Sequence, residues 1–255
     1  MTNAPIAGSK IAVVTGAARG LGHALSIEFA KRGVQVAAVG RSRESLAELA
    51  KHENIMPVVA DVSDPAAVAT AFEKIDKGLG PVDILINNAA VYPRRDLLDE
   101  TPDSFADTIA TNLGGTFNVT HHALNRMVNR GNGRIINVTS NADRKPAPLS
   151  SAYSVSKGAT KILTRAIVSD LGDRYPDIVI SDWIPGALQT SMGLPDGTPP
   201  DVAAKWCVTL ALMNERDLNG ATFDRAQEVV PMQSWKRRLY AKLSGQQRRP
   251  RSLKP

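Results

Sequence analysis

The chain predicts a single α/β domain: a doubly wound, largely parallel sheet with helices packed on both faces. Three observations lead there. Six short runs, at 10–16, 34–40, 55–60, 82–87, 134–139 and 178–184, are filled with Ile, Val and Ala almost without polar alternation, and a seventh, shorter strand is expected near 221–223. That is the pattern of strands covered on both faces. The stretches between them are long enough for helical crossovers, and strand–helix–strand repetition gives a parallel sheet. Finally, 255 residues suffice for one large core. The predicted division is a domain over 1–228 followed by a basic tail over 229–255.

The first run feeds Thr15-Gly16-Ala17-Ala18-Arg19-Gly20-Leu21-Gly22, and a helix is predicted over 25–31. Glycines here let the backbone turn sharply and approach a pyrophosphate, whose charge sits at the helix N-terminus. The spacing is G-x-x-x-G-x-G rather than the dinucleotide fingerprint G-x-G-x-x-G, and no Walker lysine follows. On the first strand of a βαβ series, such a turn predicts a Rossmann-like nucleotide site. The second run ends in Val39-Gly40-Arg41-Ser42-Arg43. An acidic residue about 20 positions past the glycines would bind the adenosine ribose of NAD, but Gly40 and Arg41 stand there. Arg19 and Arg41 instead suit a 2′-phosphate through bidentate, charge-assisted bonds, so NADP(H) is expected over NAD(H).

After the third run, Asp64-Pro65 reads as an N-cap followed by Pro at the first helical position. The fifth run leads into Ser140, and Tyr153-Ser154-Val155-Ser156-Lys157 opens a long helix. Four residues apart, Tyr153 and Lys157 lie on one helix face. A free tyrosine titrates near a pKa of about 10, and a nearby ammonium favours its phenolate. A serine hydroxyl opposite can hold a carbonyl oxygen while the phenol protonates it. Taken alone, Tyr-x-x-x-Lys fits ordinary polarity at a helix start equally well.

These motifs, in this order, resemble the short-chain dehydrogenase/reductase family over about residues 8–224. The turn from Thr15 to Gly22 resembles the family's cofactor turn, with Gly16, Ala18, Arg19, Gly20, Leu21 and Gly22 as its contacts. Arg41, Ser42, Asp61 and Val62 lie where the family holds the adenosine. Asn87-Asn88-Ala89-Ala90 is similar to its Asn-Asn-Ala-Gly segment, with Ala90 replacing the glycine. Pro185-Gly186-Ala187-Leu188-Gln189-Thr190 resembles the Pro-Gly segment whose threonine holds the nicotinamide amide. The resemblance implies hydride exchange with a carbonyl or alcohol carbon. Tyr153 would be the general acid/base, Lys157 its tuning group and a ribose ligand, Ser140 the orienter of the substrate oxygen, and Asn112 the support of a water relay. It also implies a homodimer or homotetramer packed through helices around 111–130 and 152–171.

Two departures bear on substrate. Where the family often ends its last strand in Val-Asp-Gly-Gly, this chain reads Thr222-Phe223-Asp224-Arg225. The segment after Thr190, 191–200, is short and Gly/Pro-rich and predicts a small flap over the pocket. Tyr92, Met192, Leu194 and Trp183 are candidates for an apolar substrate wall, Trp183 equally for the core.

Composition excludes several classes. With 43% hydrophobic and 22% charged residues and no apolar run of membrane-spanning length, an ordinary soluble protein is expected. The first residues show neither the basic start nor the apolar stretch of a secretory signal, and Cys207 is the lone cysteine, so a cytoplasmic location is expected. The net charge of +6 is concentrated after Glu228, where eight basic residues meet no acidic one. The remaining body carries 23 basic against 25 acidic residues, which argues against a nucleic-acid-binding face. In the tail, Trp235, Leu239 and Leu243 form an apolar stripe expected to dock, with residues past Gly245 mobile. The four histidines and one cysteine form no metal-ligand pattern, and a serine-hydrolase elbow is absent. The alternative function is a catalytically silent NADP(H)-binding sensor or interaction protein. It has no chemical need for Asn112, Ser140, Tyr153 and Lys157 together.

Overall fold

The computed structural model describes residues 9–230 and 250–254. Seven strands run parallel: β1 (Ile11–Thr15), β2 (Gln35–Gly40), β3 (Ile55–Val59), β4 (Ile84–Asn87), β5 (Gly133–Val138), β6 (Ile178–Ile184) and β7 (Thr222–Asp224). A two-residue strand, β8 (Gln227–Glu228), pairs antiparallel with β7. The order is β3-β2-β1-β4-β5-β6-β7-β8, so the winding reverses between β1 and β4. In such sheets the crevice beyond the strand ends at that switch point is where ligands bind.

All seven predicted strands are present within two residues of their predicted ends, and residues along the central ones alternate between two buried faces. Ala12, Val14, Ala38 and Ile86 pack with Leu25 and Phe29 of α1 (Gly20–Lys31) and with Ala204 and Val208 of α6 (Pro200–Leu212). Val13, Ala37, Val58 and Leu85 pack with Phe72 and Ile75 of α2 (Pro65–Gly78) and with Val119 and Met127 of α4 (Gly115–Arg130). Cys207, in α6, is wholly buried on the first of these faces. The Asp64 cap forms as expected, its carboxylate accepting from the backbone of Ala66 and Ala67. None of the helices is long and apolar enough to cross a membrane among the described residues.

Between β4 and α4 the chain forms α3 (Pro102–Ile109), which passes through a π-helical stretch, Ala110–Gly114, straight into α4. α5 (Ser151–Leu171) carries Tyr153 and Lys157 in its first two turns. The stripe of Trp235, Leu239 and Leu243 lies outside the described residues. The expected mobility past Gly245 does not hold for 250–254. Arg251 donates its backbone N–H to Glu228 and pairs with Asp217, and Leu253 is 4% exposed within the α1/α6 core. A buried leucine and an ion pair hold these residues in place.

Candidate active site

One cleft of about 1080 Å³ opens beyond the carboxyl ends of the central strands. Its floor at one end is the turn between β1 and α1. A Cβ on Gly16, whose φ is +64°, would stand 2.8 Å from the Cα of Ala89, and one on Gly22 would stand 2.1 Å from the carbonyl oxygen of Gly16. Glycine is therefore required by close backbone approach at both positions. The turn is tied to β4 by residues the sequence did not single out as a unit. Thr15 Oγ1 accepts from the backbone of Asn88 and Ala89 at 3.0 Å each, and Asn88 Nδ2 donates to Thr15 O at 2.8 Å.

Gly16, Ala18, Arg19, Gly20, Leu21, Gly22, Arg41, Asp61, Val62, Asn88, Ala89 and Ala90 all line this end of the cleft. Pro185, Gly186, Leu188 and Thr190 line its opposite wall, and the Thr190 methyl lies 3.3 Å from where a Gly20 Cβ would be. Hydrogen bonds from the Ser63 hydroxyl and backbone, with the Arg41 charge adding to them, hold the Asp61 carboxyl below its ordinary range. Arg19 and Arg41 are exposed at the rim and form no ion pair among the described residues. Glycine turn, helix N-terminus and two open guanidiniums fit a dinucleotide carrying an extra phosphate.

Ser42 departs from expectation. It does not line the cleft; its Oγ accepts from Ser45 N and its carbonyl from Ser45 Oγ, starting a 3-10 turn over Glu44–Leu46. In that turn the hydroxyl accepts, and its own hydrogen is not engaged among the described residues.

At the other end Ser140, Tyr153 and Lys157 converge. Burial pushes the Tyr153 phenol above its ordinary value; a hydrogen bond with Ser140 opposes this, and the neighbouring Tyr92 adds to it. The two tyrosine rings stack at 4.4 Å. Lys157 Nζ lies 5.9 Å from the Tyr153 ring centroid and donates to Val138 O at 2.8 Å. Burial draws its ammonium down to about 8, against the pull of the Asp182 carboxylate. The direction for Tyr153 is upward, set first by its removal from water.

Asn112 stands behind the cleft wall. It is fully buried in the π-helical stretch and does not line the cleft. Its Oδ1 accepts from Val91 N at 2.7 Å, while Nδ2 donates to Val91 O and Ser156 Oγ. The amide fixes the loop that carries Tyr92 against α5.

A group that sequence reading missed is Asp182, which looked like part of an apolar strand. Burial raises its carboxyl to about 6, and Thr164 Oγ1 donates to it at 2.7 Å. From there a buried chain crosses the sheet, with Asn137 Nδ2 donating to Thr164 and Asn87 Nδ2 to Asn137. Of the suggested substrate wall, Tyr92 and Met192 line the cleft. Trp183 is core, its Nε1 donating to Arg225 O at 2.9 Å, and Leu194 lies outside the main cleft. The flap closes on itself through Leu188 and Thr198 and is tethered by Arg94, which donates to Gly193 O at 3.2 Å.

The family model described as short chain dehydrogenase matches residues 10–198. An acetoacetyl-CoA reductase of Rhizobium meliloti is 34% identical over 185 residues, covering 72% of this chain and 76% of its own. A gluconate 5-dehydrogenase of Gluconobacter oxydans is 34% identical, covering 71% of this chain and 72% of its own. Among solved structures, a gluconate 5-dehydrogenase from Burkholderia cenocepacia in complex with NADP and tartrate superposes with a TM-score of 0.77. It is 28% identical, over 86% of this chain and 94% of that one.

Proposed function

The chain belongs to the short-chain dehydrogenase family, and on that footing we propose that it is an NADP(H)-dependent oxidoreductase that interconverts a carbonyl compound and its alcohol. The observation that carries this reading is the half-buried Tyr153 phenol, which meets Ser140 and Lys157 in the same cleft as the glycine turn. The NADP bound by the Burkholderia neighbour supports the choice of cofactor, as do the open guanidiniums of Arg19 and Arg41.

When bound, the nicotinamide supplies the hydride in reduction and takes it up in oxidation. The chain's own residues handle the oxygen. Ser140 Oγ donates a hydrogen bond to the substrate carbonyl oxygen and fixes its position. Tyr153 holds a proton on its phenol oxygen and releases it to that same oxygen as the carbonyl carbon receives the hydride. With its pKa raised, the phenol stays protonated at neutral pH, which suits the donor role in reduction. Oxidation needs the phenolate and is favoured at alkaline pH. Lys157, still charged at neutral pH, stabilises the phenolate left behind.

The family membership also supports a homo-oligomer. Phe117 of α4 and Val155 and Ile162 of α5 are each more than half exposed, as an apolar interface in need of a second copy requires. Mixing the protein with NADPH and a panel of ketones and aldehydes, and following NADPH absorbance, tests the enzymatic reading. NADPH binding without turnover of any carbonyl would transfer the assignment to a silent cofactor-binding sensor.

A further inference from the structure

Six basic and two acidic side chains line the cleft. Four of the basic groups have evident tasks. Arg19 and Arg41 stand at the glycine-turn end, Lys157 faces Tyr153, and Arg95 is paired with Glu100 at 3.0 Å. Lys145 and Arg225 remain. Neither side chain donates a hydrogen bond among the described residues, and the nearest carboxylate to Arg225, that of Asp224, stands off at 3.8 Å from its Nε. Asp224 is itself occupied, accepting from Asn141 Nδ2 at 2.9 Å. The acidic lining residues are Asp61, beside Arg41, and Asp107 on α3.

Arg225 is held there at a backbone cost. Its φ is +52°, one of two left-handed non-glycine residues among those described, and a conformation that glycine adopts freely. Across from it, Gly186 has φ +78°, and a Cβ there would meet Arg225 Nε at 2.7 Å. A bare glycine thus makes room for the arginine side chain against the cleft wall. The arginine's carbonyl accepts from Trp183, a bond that any residue at 225 makes, so packing does not call for a guanidinium. Residues held in such backbone conformations cluster at active sites and ligand clamps.

We infer that the substrate is a carboxylate-bearing carbonyl compound, whose anionic end is received by the Arg225 guanidinium with Lys145 beside the same pocket. This rests on the oxidoreductase reading above and specifies its substrate class. A planar guanidinium fits a carboxylate in two parallel bonds, and a cleft with excess positive charge concentrates anions at its mouth.

The test uses the full chain loaded with NADPH and pairs of keto acids of increasing length, each against its methyl ester. The native protein is expected to turn over at least one acid with kcat/KM tenfold or more above its ester. Arg225→Gly relieves the backbone and keeps the bond to Trp183, so its melting temperature should not fall. Its acid-over-ester preference should drop at least tenfold, and Lys145→Met should lower it by a smaller factor. Equal or better use of the esters throughout overturns the inference while leaving the oxidoreductase reading intact. So does an Arg225→Gly protein whose preference is unchanged, or one in which only NADPH affinity falls, since the arginine then serves the cofactor. NADPH binding with no turnover of any acid or ester removes the reading on which the inference rests.

Discussion

The two ends of the cleft are made of different materials. Around the β1–α1 turn, the lining is mostly main chain, and Gly16, Gly22 and Ala89 approach so closely that a single added carbon collides with backbone. Around Tyr153, the lining is side chains delivered by loops and one helix: Tyr92, Ser140, Lys145, Met192 and Arg225. A main-chain site is fixed in shape and recognises what all its ligands share. A side-chain site can be re-specified one residue at a time. On the proposed reading, chemistry sits on the seam, where α5 presents Tyr153 and Lys157 to both.

Tyr153→Phe probes that seam most sharply. It keeps the stacked ring and removes the hydroxyl, so turnover should fall by about 10²–10⁴, the range for loss of a general acid, with little change in NADPH affinity by fluorescence titration. Near-normal turnover would break the comparison, because the chemistry would then lie elsewhere. Arg41→Asp should abolish the preference for NADPH over NADH, a difference of roughly 1.5–3 kcal/mol for one charged hydrogen-bonded contact. Equal affinity of the native protein for both cofactors refutes the 2′-phosphate reading. Gly22→Ala should weaken NADPH binding by about tenfold or more, roughly 1.4 kcal/mol per decade, because its Cβ must displace the Gly16 carbonyl. Full affinity in that variant would mean the turn is pliable, and the contrast between the two ends would dissolve.

A smaller effect is expected from Asp182→Asn. Burial places the Lys157 pKa near 8 instead of its ordinary 10.5, and the Asp182 carboxylate resists that drop. The ammonium is therefore present at neutral pH and lost as pH rises through about 8. Without the carboxylate the lysine should lose its proton at lower pH, moving the alkaline limb of the reduction profile in that direction. An unmoved limb with a lowered kcat would assign Asp182 a purely structural role. Ser42→Ala should change NADPH affinity by no more than about 0.5 kcal/mol, as for a surface hydroxyl without special contacts; a larger loss would extend the cofactor end past Arg41.

What was legible in the sequence follows the same division. The parallel strands could be read because runs dominated by Ile, Val and Ala mean burial on both faces, and among the described residues only β8, two residues long, escaped. The turn was legible because close backbone approach dictates glycine. That Ser140, Tyr153 and Lys157 share one cleft could be anticipated only from the family resemblance, since Tyr-x-x-x-Lys alone fits a polar helix start. That Ser42 and Asn112 do not line the cleft could not be read, because a 3-10 turn and a π-helical stretch decide where those side chains point, and neither leaves a periodic signal. Arg225 and Lys145 gave no sign of entering the cleft, since loop residues come together only through the fold. Asp182 was hidden by its apolar neighbours in β6.

Cys207 makes a different kind of experiment possible. It is the lone cysteine of the chain, fully enclosed between α6 and the sheet, and burial pushes its thiol well above the ordinary range. The reactive species is the thiolate, so a maleimide or iodoacetamide can label it only in molecules whose α6 face has opened. The labelling rate then counts openings, giving the free energy of that local transition without any introduced probe. Adding a ligand that binds only the closed form must slow labelling in proportion to its saturation. The molecule therefore carries a built-in chemical clock against which candidate cofactors and substrates can be ranked before any of them is seen to react.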